Sequence, residues 1–572
     1  MAHAVSGTGA HIACSFRQAF RGVGRRRAAM NESTPLLRIR DFTLTRPGAG
    51  KPEIENFSLM LEPSGTLTLL GEAGSGGGAV LRTLAQPIRR GTRVSGAIRL
   101  RDGLEQQIDR RMTLDLRIAY LPGPHANVLN PHTSVLSQLC LIVARKLRQP
   151  KASAKAELGL ALERLPGAPN LEALDHPPAL IAPEALASAL LAAAMAQTPE
   201  LLLADDPLGE LSPAHARALV SALKAEQRRL GFALLYAAAR ASAAKLLDSD
   251  LIVLRSGRIV EEGALARLAT AQSHSYTQTL FRASSPDEKP LPDRSPVRGE
   301  PLLRVQGVQL AARSKLKSRD KLNFELRRGA SLALIGEIGS GRRALARVVL
   351  GLDPVAAGRI VFDQVDIGVL NSAMMARLRR RVSFVTGDDD ALDPRMTIFD
   401  TVAEPLRAHL AMPRDLVAHN RDAALKRVGL AALPGSRTVA SLSPFDRRRL
   451  QIARAIVGQP LLAVIDEPLR GLDAFAQSVV RDLLRNFRSN EGPAVLFITS
   501  DFGLARVFCE DGFVFKDGRV VERGPIGTLL RAPQDPHTRK LLEAVAALPL
   551  ADSPVLLSDP PGAGTPDPAP PA

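Results

Sequence analysis

The sequence predicts an α/β protein of two tandem domains, each a mostly parallel sheet flanked by helices. Short motifs recur in one order and at nearly constant spacing along the 572 residues. Within each copy, continuous apolar runs of four to six residues alternate with longer helical patterns. Such runs are typical of strands buried on both faces, as parallel strands are in α/β proteins.

Four pairs of motifs indicate the duplication. GEAGSG at residue 71 recurs as GEIGSG at 336, and LNP at 129 recurs as LDP at 392. ADDP at 204 recurs as IDEP at 465, and SGRIVEEG at 256 recurs as DGRVVERG at 517. All four offsets lie between 261 and 265 residues, so the chain is interpreted as a tandem repeat.

The elements follow in the same order in both copies. Each glycine loop follows an apolar run and opens a helical pattern (AVLRTLA, then ALARVVLG), which is the context of a phosphate-binding loop. The stretch ALASALLAAAMA (185–196) is too short to span a bilayer and predicts a buried helix. The clearest strand predictions are TLTLL (66–70), LLLA (201–204), LAVI (462–465) and AVLFI (494–498).

Proline-rich stretches set the expected domain boundaries, because dense proline disfavours packed helices and strands. The segments SSPDEKPLPDRSPVRGEP and DSPVLLSDPPGAGTPDPAPPA are of this kind. Residues 1–30 are either a disordered extension or are not translated, since an ordered pattern begins only after Met30. The expected division is an extension (1–35), domain 1 (36–285), a linker (286–300), domain 2 (301–550) and a disordered tail (551–572).

Composition excludes several classes of protein. The net charge of +17 comes from arginines scattered along the whole chain, which does not form the basic stripe of a nucleic-acid-binding protein. No apolar run reaches the roughly 18 residues of a membrane span. The three cysteines (Cys14, Cys140 and Cys509) lie far apart, which is no disulfide framework.

The ordered set of glycine loop, LNP segment, acidic strand end and GRIVEEG hairpin resembles the nucleotide-binding domains of ABC transporters. These are P-loop NTPase domains with an added helical subdomain. The resemblance covers residues 36–285 and 301–548, and it is most similar to the ATPase subunits of dipeptide, oligopeptide and nickel importers. The stretches DPRMTIFDTVAEPLR (393–407) and LLRAPQDPHTRKLLEAV (529–545) carry that subfamily likeness.

The resemblance implies ATP and Mg²⁺ as cofactors. It implies two membrane permease subunits and an extracytoplasmic solute-binding protein as partners, with no nucleic acid. It also implies a cytoplasmic, peripheral location on the inner face of the cell membrane. The two domains are expected to pair head to tail, each site joining one glycine loop to the signature loop of the other domain. Permease contact is expected around residues 122–140 and 386–400.

The resemblance also assigns roles to individual residues. Glu467 and Asp206 hold the general-base positions, and Asp205 and Asp466 hold the positions that bind Mg²⁺ through water. The nucleotide-binding positions are Gly71, Gly74, Ser75, Gly76, Gly77, Gly78, Gly336, Gly339, Ser340, Gly341, Arg342, Arg343 and Ser443.

The chain departs from the family pattern where a triphosphate is gripped. The Lys-Ser/Thr pair of the phosphate loop is replaced by Gly77 and Gly78 in the first copy and by Arg342 and Arg343 in the second. Arg342 either reaches a phosphate or is a solvated helix-start arginine. Arg343 sets a cation where Mg²⁺ would sit.

The remaining stations of the family pattern differ as well. The signature loop maps to 181–184 (IAPE) and to 442–445 (LSPF). The family glutamine maps to Pro122 or Gly123 and to Thr386, and the family histidine maps to Ala239 and Ser500. No aromatic residue upstream of either loop offers a stacking face for adenine.

Four hypotheses follow. The favoured one is a pseudo-ATPase, a scaffold or regulatory subunit with impaired or absent hydrolysis. The alternative is a functional ATPase that energises dipeptide or oligopeptide uptake. A soluble tandem ABC protein outside transport is disfavoured by the short Pro-rich linker. The product of a decaying gene is a fourth, and intact apolar patterning argues against it.

Overall fold

We analysed a computed structural model, which describes residues 34–546 except for short gaps. The gaps fall at residues 49–50, 102, 110–111, 113, 115, 124–127, 166, 210, 271–272, 285–299, 310–320, 338, 356, 389–390, 411 and 488–491. The tail, and nearly all of the expected extension and of the linker, therefore lie outside the described residues. Neither boundary prediction is tested there.

Domain 1 contains a six-stranded sheet in the order β10-β9-β3-β8-β7-β6, whose pairs are parallel except for the β9–β10 hairpin. Alternate residues of β7 contact two different cores, Leu202 and Ala204 on one face and Leu201 and Leu203 on the other. The predicted parallel sheet with buried strands is confirmed. The strands are β3 (Thr66–Leu70), β6 (Ile118–Pro122), β7 (Leu201–Asp205), β8 (Ala233–Ala238), β9 (Asp250–Arg255) and β10 (Arg258–Gly263).

A second sheet in domain 1 is antiparallel and was not predicted. Its order is β2-β1-β4-β5, formed by β1 (Leu37–Thr45), β2 (Ile54–Leu61), β4 (Arg93–Leu100) and β5 (Gln106–Gln107). Its strands alternate buried and exposed residues, because one face packs on the core and the other faces solvent.

Helices complete domain 1. The predicted buried helix is confirmed as α4, which is almost entirely buried over its last two turns. Helices α2, α3 and α4 pack against one another and form the expected helical subdomain. The helices are α1 (Gly77–Ala85), α2 (Val135–Leu147), α3 (Lys151–Glu163), α4 (Pro183–Ala196), α5 (Pro213–Leu230), α6 (Ala241–Leu247), α7 (Leu265–Leu268) and α8 (Ser275–Ser284).

Domain 2 repeats this architecture. Its antiparallel sheet has the order β12-β11-β14-β15, and its six-stranded sheet has the order β16-β17-β18-β13-β19-β20. The strands are β11 (Pro301–Gln309), β12 (Leu322–Arg327), β13 (Ser331–Gly336), β14 (Ala357–Phe362), β15 (Val365–Asp366), β16 (Val382–Thr386), β17 (Leu462–Asp466), β18 (Ala494–Thr499), β19 (Asp511–Lys516) and β20 (Arg519–Pro525).

The helices of domain 2 are also placed as in domain 1. Helices α11, α12 and α13 pack together as the helical subdomain. The helices are α9 (Arg342–Val349), α10 (Ser372–Arg379), α11 (Ile398–Leu410), α12 (Arg414–Arg427), α13 (Pro444–Ile456), α14 (Ala474–Phe487), α15 (Phe502–Phe508), α16 (Ile526–Arg531) and α17 (Pro536–Ala546). Among the described helices none is long and apolar enough to cross a membrane.

The two domains contact each other reciprocally through their last helices. Helix α8 of domain 1 packs on α14 of domain 2, where Arg481 donates a hydrogen bond of 3.0 Å to the carbonyl of Ala283. Helix α17 of domain 2 packs on α5 of domain 1, where Arg217 donates one of 3.5 Å to the carbonyl of Glu543. Each C-terminal helix therefore lies against the opposite domain.

Candidate functional site

The first glycine loop joins β3 to α1 at the carboxyl end of the sheet. Gly71 begins the loop, Gly74 and Ser75 lie within it, and Gly76 precedes the helix with φ of 113°. This φ lies in the left-handed region, and a Cβ at Gly76 would lie 3.2 Å from the Glu53 carbonyl oxygen as well as 2.3 Å from Ile54 Cδ1, so the turn favours glycine. The strand–loop–helix placement that the sequence predicted is confirmed.

Gly77 and Gly78 are the first two residues of α1, and the place that a Gly78 side chain would take is occupied by other side chains. A Cβ at Gly78 would lie 2.8 Å from Asp205 Oδ1 and 3.0 Å from Arg82 Nη1. Arg82 lies four residues further along α1, on the same face, and ion-pairs with Asp205 at 3.0 Å. The absence of a side chain at Gly78 therefore leaves room for the Arg82–Asp205 pair.

Asp205 at the end of β7 has a second partner in Tyr120 of β6. The Tyr120 hydroxyl donates a hydrogen bond of 2.8 Å to Asp205 Oδ2. Burial, together with the neighbouring Asp205 charge, raises the pKa of Tyr120. The carboxylate thus binds one guanidinium and one phenol of its own domain.

Asp206, in the general-base position of domain 1, is also engaged. It has a left-handed backbone with φ of 46°, and its Oδ1 accepts a hydrogen bond of 3.3 Å from the Tyr236 hydroxyl. Burial raises the pKa of the Asp206 carboxyl, and the nearby Arg240 guanidinium opposes that rise. This acid is held inside the domain by a phenol and a cation.

The second glycine loop repeats the geometry between β13 and α9. Gly336 ends β13, Gly339 and the buried Ser340 follow, and Gly341 precedes the helix with φ of 102°. A Cβ at Gly341 would lie 2.9 Å from the backbone Cα of Gly518, so this loop also passes too close to a neighbour for a side chain.

Arg342 turns inward from the start of α9. Its side chain is 5% exposed, and Nη1 lies 3.4 Å from Glu467 Oε1. Burial lowers the pKa of Arg342, and attraction to Glu467 opposes the change. The prediction of a solvated arginine is wrong, because Glu467 offers a buried counter-charge at the end of β17.

Arg343 reaches the strand-end acid of domain 2. Its Nε lies 2.6 Å from Asp466 Oδ2, and its Nη1 lies 3.2 Å from Asp388 Oδ2. Burial lowers the pKa of Arg343, but attraction to these two carboxylates outweighs that effect and raises it overall. A guanidinium therefore bridges Asp466 to the loop after β16.

Glu467 is engaged by its own domain through one carboxylate oxygen, Oε1. Besides the Arg342 contact, its Oε1 accepts a hydrogen bond of 2.7 Å from the backbone N–H of Ser500, the residue at the family histidine position. Burial raises the pKa of the Glu467 carboxyl. Its backbone φ of 46° equals that of Asp206, so the duplication preserved the local geometry of the acid pair.

The signature positions have structural roles. Ser443 precedes α13, and its Oγ accepts a hydrogen bond of 3.1 Å from Asp446 N while contacting Asp446 Oδ2 at 2.9 Å. This is a helix cap, so the hydroxyl is directed to its own helix. In domain 1 Ala182 precedes α4 without a capping side chain.

The loop after β17 of domain 2 contacts the first glycine loop. Asp473 Oδ2 accepts a hydrogen bond of 2.9 Å from the backbone N–H of Ala73. The N–H of Ala474 donates one of 3.3 Å to the carbonyl of Ala239, the residue at the family histidine position of domain 1. One glycine loop is thereby brought against the opposite domain.

Sequence reasoning missed Arg82, Tyr120 and Arg448. Arg448 of α13 is buried and donates to the carbonyls of Pro468 and Gly387, at the latter over 2.7 Å. It ties the signature helix to the loops after β17 and β16. The role of Arg82 could have been inferred from its four-residue spacing from Gly78. The contacts of Tyr120 and Arg448 depend on the fold, and nothing in the sequence indicated them.

The side chains that meet at these loops do not fit Mg²⁺. Both strand-end aspartates already bind a guanidinium, and neither Gly78 nor Arg343 supplies the hydroxyl that the family uses as a ligand. Within the described part of the chain, no group of three or more His, Cys, Asp or Glu side chains is arranged to hold a metal ion.

Comparison with known proteins gives consistent relatives. A sequence model of the family described as ABC transporter matches residues 319–470. The chain is 29% identical over 512 residues to the uncharacterized ABC transporter ATP-binding protein YejF of Escherichia coli K12, covering 86% of this chain and 95% of YejF. It is 28% identical over 559 residues to the glutathione import ATP-binding protein GsiA of E. coli O6:H1, covering 88% and 89%.

A solved structure is also similar to part of the chain. It is that of cbiO1 from Clostridium perfringens, described as part of the ABC transporter complex cbiONQ. The similarity covers 40% of this chain and 91% of cbiO1, with 26% sequence identity and a TM-score of 0.37.

Proposed function

Because this chain belongs to the ATP-binding proteins of ABC transporters, we propose that it serves a peptide or glutathione import system without hydrolysing ATP. In this proposal it is a scaffold or regulatory subunit on the cytoplasmic face of the membrane. Two permease subunits and an extracytoplasmic solute-binding protein are its partners. The transport role is supported by the glutathione import named for GsiA, and the lack of hydrolysis is supported by the contacts within the site.

One observation carries the lack of hydrolysis: both general-base carboxylates are bound by groups of their own domain. Glu467 accepts from Ser500 N and pairs with Arg342. Asp206 accepts from Tyr236, with Arg240 nearby. A general base must instead reach the proton of an attacking water. These carboxylates would have to break internal contacts first.

The rate lost through the missing catalytic groups also supports the lack of hydrolysis. Losing one preorganised charge-stabilising donor typically lowers a rate by about 10²–10³. Each site lacks the phosphate-loop Lys and hydroxyl, the family glutamine and the family histidine. Such losses are not additive, but two of them suffice to suppress a slow ATPase.

Head-to-tail pairing of the two domains is part of the proposal. It is supported by the hydrogen bonds from Ala73 N to Asp473 and from Ala474 N to Ala239 O. The reciprocal packing of α8 on α14 and α17 on α5 supports it independently. A scaffold of this kind stays assembled through protein contacts rather than through a nucleotide between the domains.

The surface proposed for the permeases lies where α11 begins. Arg395 is 89% exposed, and its guanidinium donates to both carboxylate oxygens of Asp393, at 3.2 and 3.3 Å. Phe399 lies under the Arg421 guanidinium, 3.7 Å from the ring centroid, and packs against the helical core of domain 2. Arg395 is therefore available to a partner, whereas Phe399 stabilises the helical subdomain.

The proposal is tested by steady-state hydrolysis of Mg-ATP by the purified full chain, with Glu467→Gln as the comparison. We expect turnover of both proteins to equal the background of a protein-free reaction. ATP binding is measured separately, so that weak binding is not mistaken for catalysis. Turnover above background that Glu467→Gln removes would refute the proposal and support the functional ATPase instead.

A further inference from the structure

Both strand-end aspartates bind an arginine from the helix that follows the glycine loop. In domain 1, Arg82 Nη1 lies 3.0 Å from Asp205 Oδ2. In domain 2, Arg343 Nε lies 2.6 Å from Asp466 Oδ2. These two carboxylates hold the positions that the family resemblance assigns to Mg²⁺. The same cation–carboxylate pairing thus occurs in both halves of the chain.

The two halves reach this pairing from different helix positions. Arg343 corresponds to Gly78, and Arg82 corresponds to Arg347, by the 265-residue offset of the loops. Arg347 instead pairs with Asp353 at 2.7 Å. Arginine thus stands at 82 and at 347, but the arginine that reaches the strand-end aspartate comes from a different helix position in each half. A cation lies beside this aspartate in both halves despite that difference, which indicates that the cation matters.

Charge is balanced around the Asp466 site. Asp466, Glu467 and Asp388 are faced by Arg343, Arg342 and Arg470, with Arg470 Nη1 3.9 Å from Asp388. Among the described side chains of this site the positive charges equal the negative ones, so these side chains offer no excess negative charge to attract a divalent ion.

The domain 1 site is balanced in the same way. Asp205 and Asp206 are faced by Arg82 and Arg240. A Cβ at Gly78 would lie within 3.0 Å of Arg82 Nη1, so a family-type hydroxyl residue there would have to displace the guanidinium.

We propose that Arg82 and Arg343 are built-in replacements for the divalent metal, so that both sites are metal-independent. The inference rests on the proposed function, since it concerns the same two sites. It makes the chain's own guanidinium the cation of each site. Arg82 and Arg343 are positioning residues in this role.

The test is Mn²⁺ binding to the full chain, measured from the electron paramagnetic resonance signal of the Mn²⁺ that stays free. We expect no stoichiometric binding to the wild type. Arg343→Thr restores a hydroxyl and uncovers Asp466, and we expect its Mn²⁺ affinity to be at least tenfold higher. Arg82→Ala uncovers Asp205 and is expected to gain in the same direction.

The repeat supplies a matched control in Arg347→Ala. It removes an arginine from the position equivalent to Arg82 but breaks only the Asp353 pair, so we expect no gain in Mn²⁺ binding. Circular dichroism checks that each variant is folded, and Arg343→Gln provides a neutral variant of closer size should Arg343→Thr unfold.

Equal Mn²⁺ affinity of wild type and the Arg343 variants overturns the inference, as does an equal gain in Arg347→Ala. Neither outcome touches the hydrolysis proposal. That proposal fails only through Glu467-dependent turnover, so the two failures are distinguishable.

Discussion

Arg448→Ala should strongly destabilise domain 2, although Arg448 is not one of the acid-site residues. The side chain is 1% exposed and donates to two buried backbone carbonyls, those of Pro468 and Gly387. A buried acceptor left without its partner costs about 1–3 kcal/mol. Two such carbonyls give roughly 2–6 kcal/mol, and removing the desolvated charge offsets part of this. We expect a loss of about 3 kcal/mol.

The assay is urea unfolding with two probes. All three tyrosines lie in the first half and the chain has no tryptophan, so tyrosine fluorescence reports domain 1 while far-UV circular dichroism reports both domains. With an m-value near 3 kcal/mol/M, the dichroism midpoint of domain 2 should fall by about 1 M. The fluorescence midpoint should move less.

Arg454→Ala on the same helix is the matched control. Its guanidinium pairs with Glu404 at 2.8 Å, but both side chains are substantially exposed, and such pairs contribute about 0.2–1 kcal/mol. A midpoint for Arg448→Ala no lower than that of Arg454→Ala would refute the reasoning that the buried arginine fastens the signature helix.

Two further predictions concern the domain contact and alkaline pH. Asp473 caps α14 by accepting from the Ala476 N–H and contacts the other domain by accepting from the Ala73 N–H. Asp473→Ser should keep the cap but lose the contact with Ala73. Its free energy of unfolding in urea should therefore fall less than that of Asp473→Ala, because the missing cap adds about 1 kcal/mol to the loss. A midpoint for Asp473→Ser equal to that of the wild type would mean that the domain contact contributes nothing to stability. Burial raises the pKa of all three tyrosines, that of Tyr276 to about 12. Their neutral forms therefore stabilise the fold fully below about pH 10, and this stabilisation is lost as pH rises through the raised pKa values. Absorbance at alkaline pH should show no folded-state ionisation near pH 10, whereas protein in urea should titrate there; a normal tyrosine in the folded chain would contradict this.

The sequence predicted those parts of the fold that depend on local pattern. Continuous apolar runs such as 201–204 and 462–465 became buried parallel strands, since burial on both faces leaves no alternation. The antiparallel sheets were missed because few clear turn motifs flank their strands. These strands also pair across long separations in sequence, as Leu37 does with Leu100.

The site was predictable in position but not in its internal contacts. Motif spacing located Asp205 and Asp466 because the duplication preserved the loop and the strand end. It could not show that Arg342 turns inward, since a helix-start arginine is usually solvated and only the packing around Glu467 decides otherwise. The role of Arg82 similarly depends on the missing side chain at Gly78, whose place the Arg82–Asp205 pair occupies.

Helix α8 packs on α14 and helix α17 packs on α5, so the stability of each domain depends on the other. Covalent tethering keeps the partners at a high effective concentration, so their stoichiometry is fixed at one to one. A mutation that destabilises one domain also removes a surface on which the end helix of the other domain packs. Separately expressed halves would each present an uncovered helix face, and selection acts on the pair as a single unit.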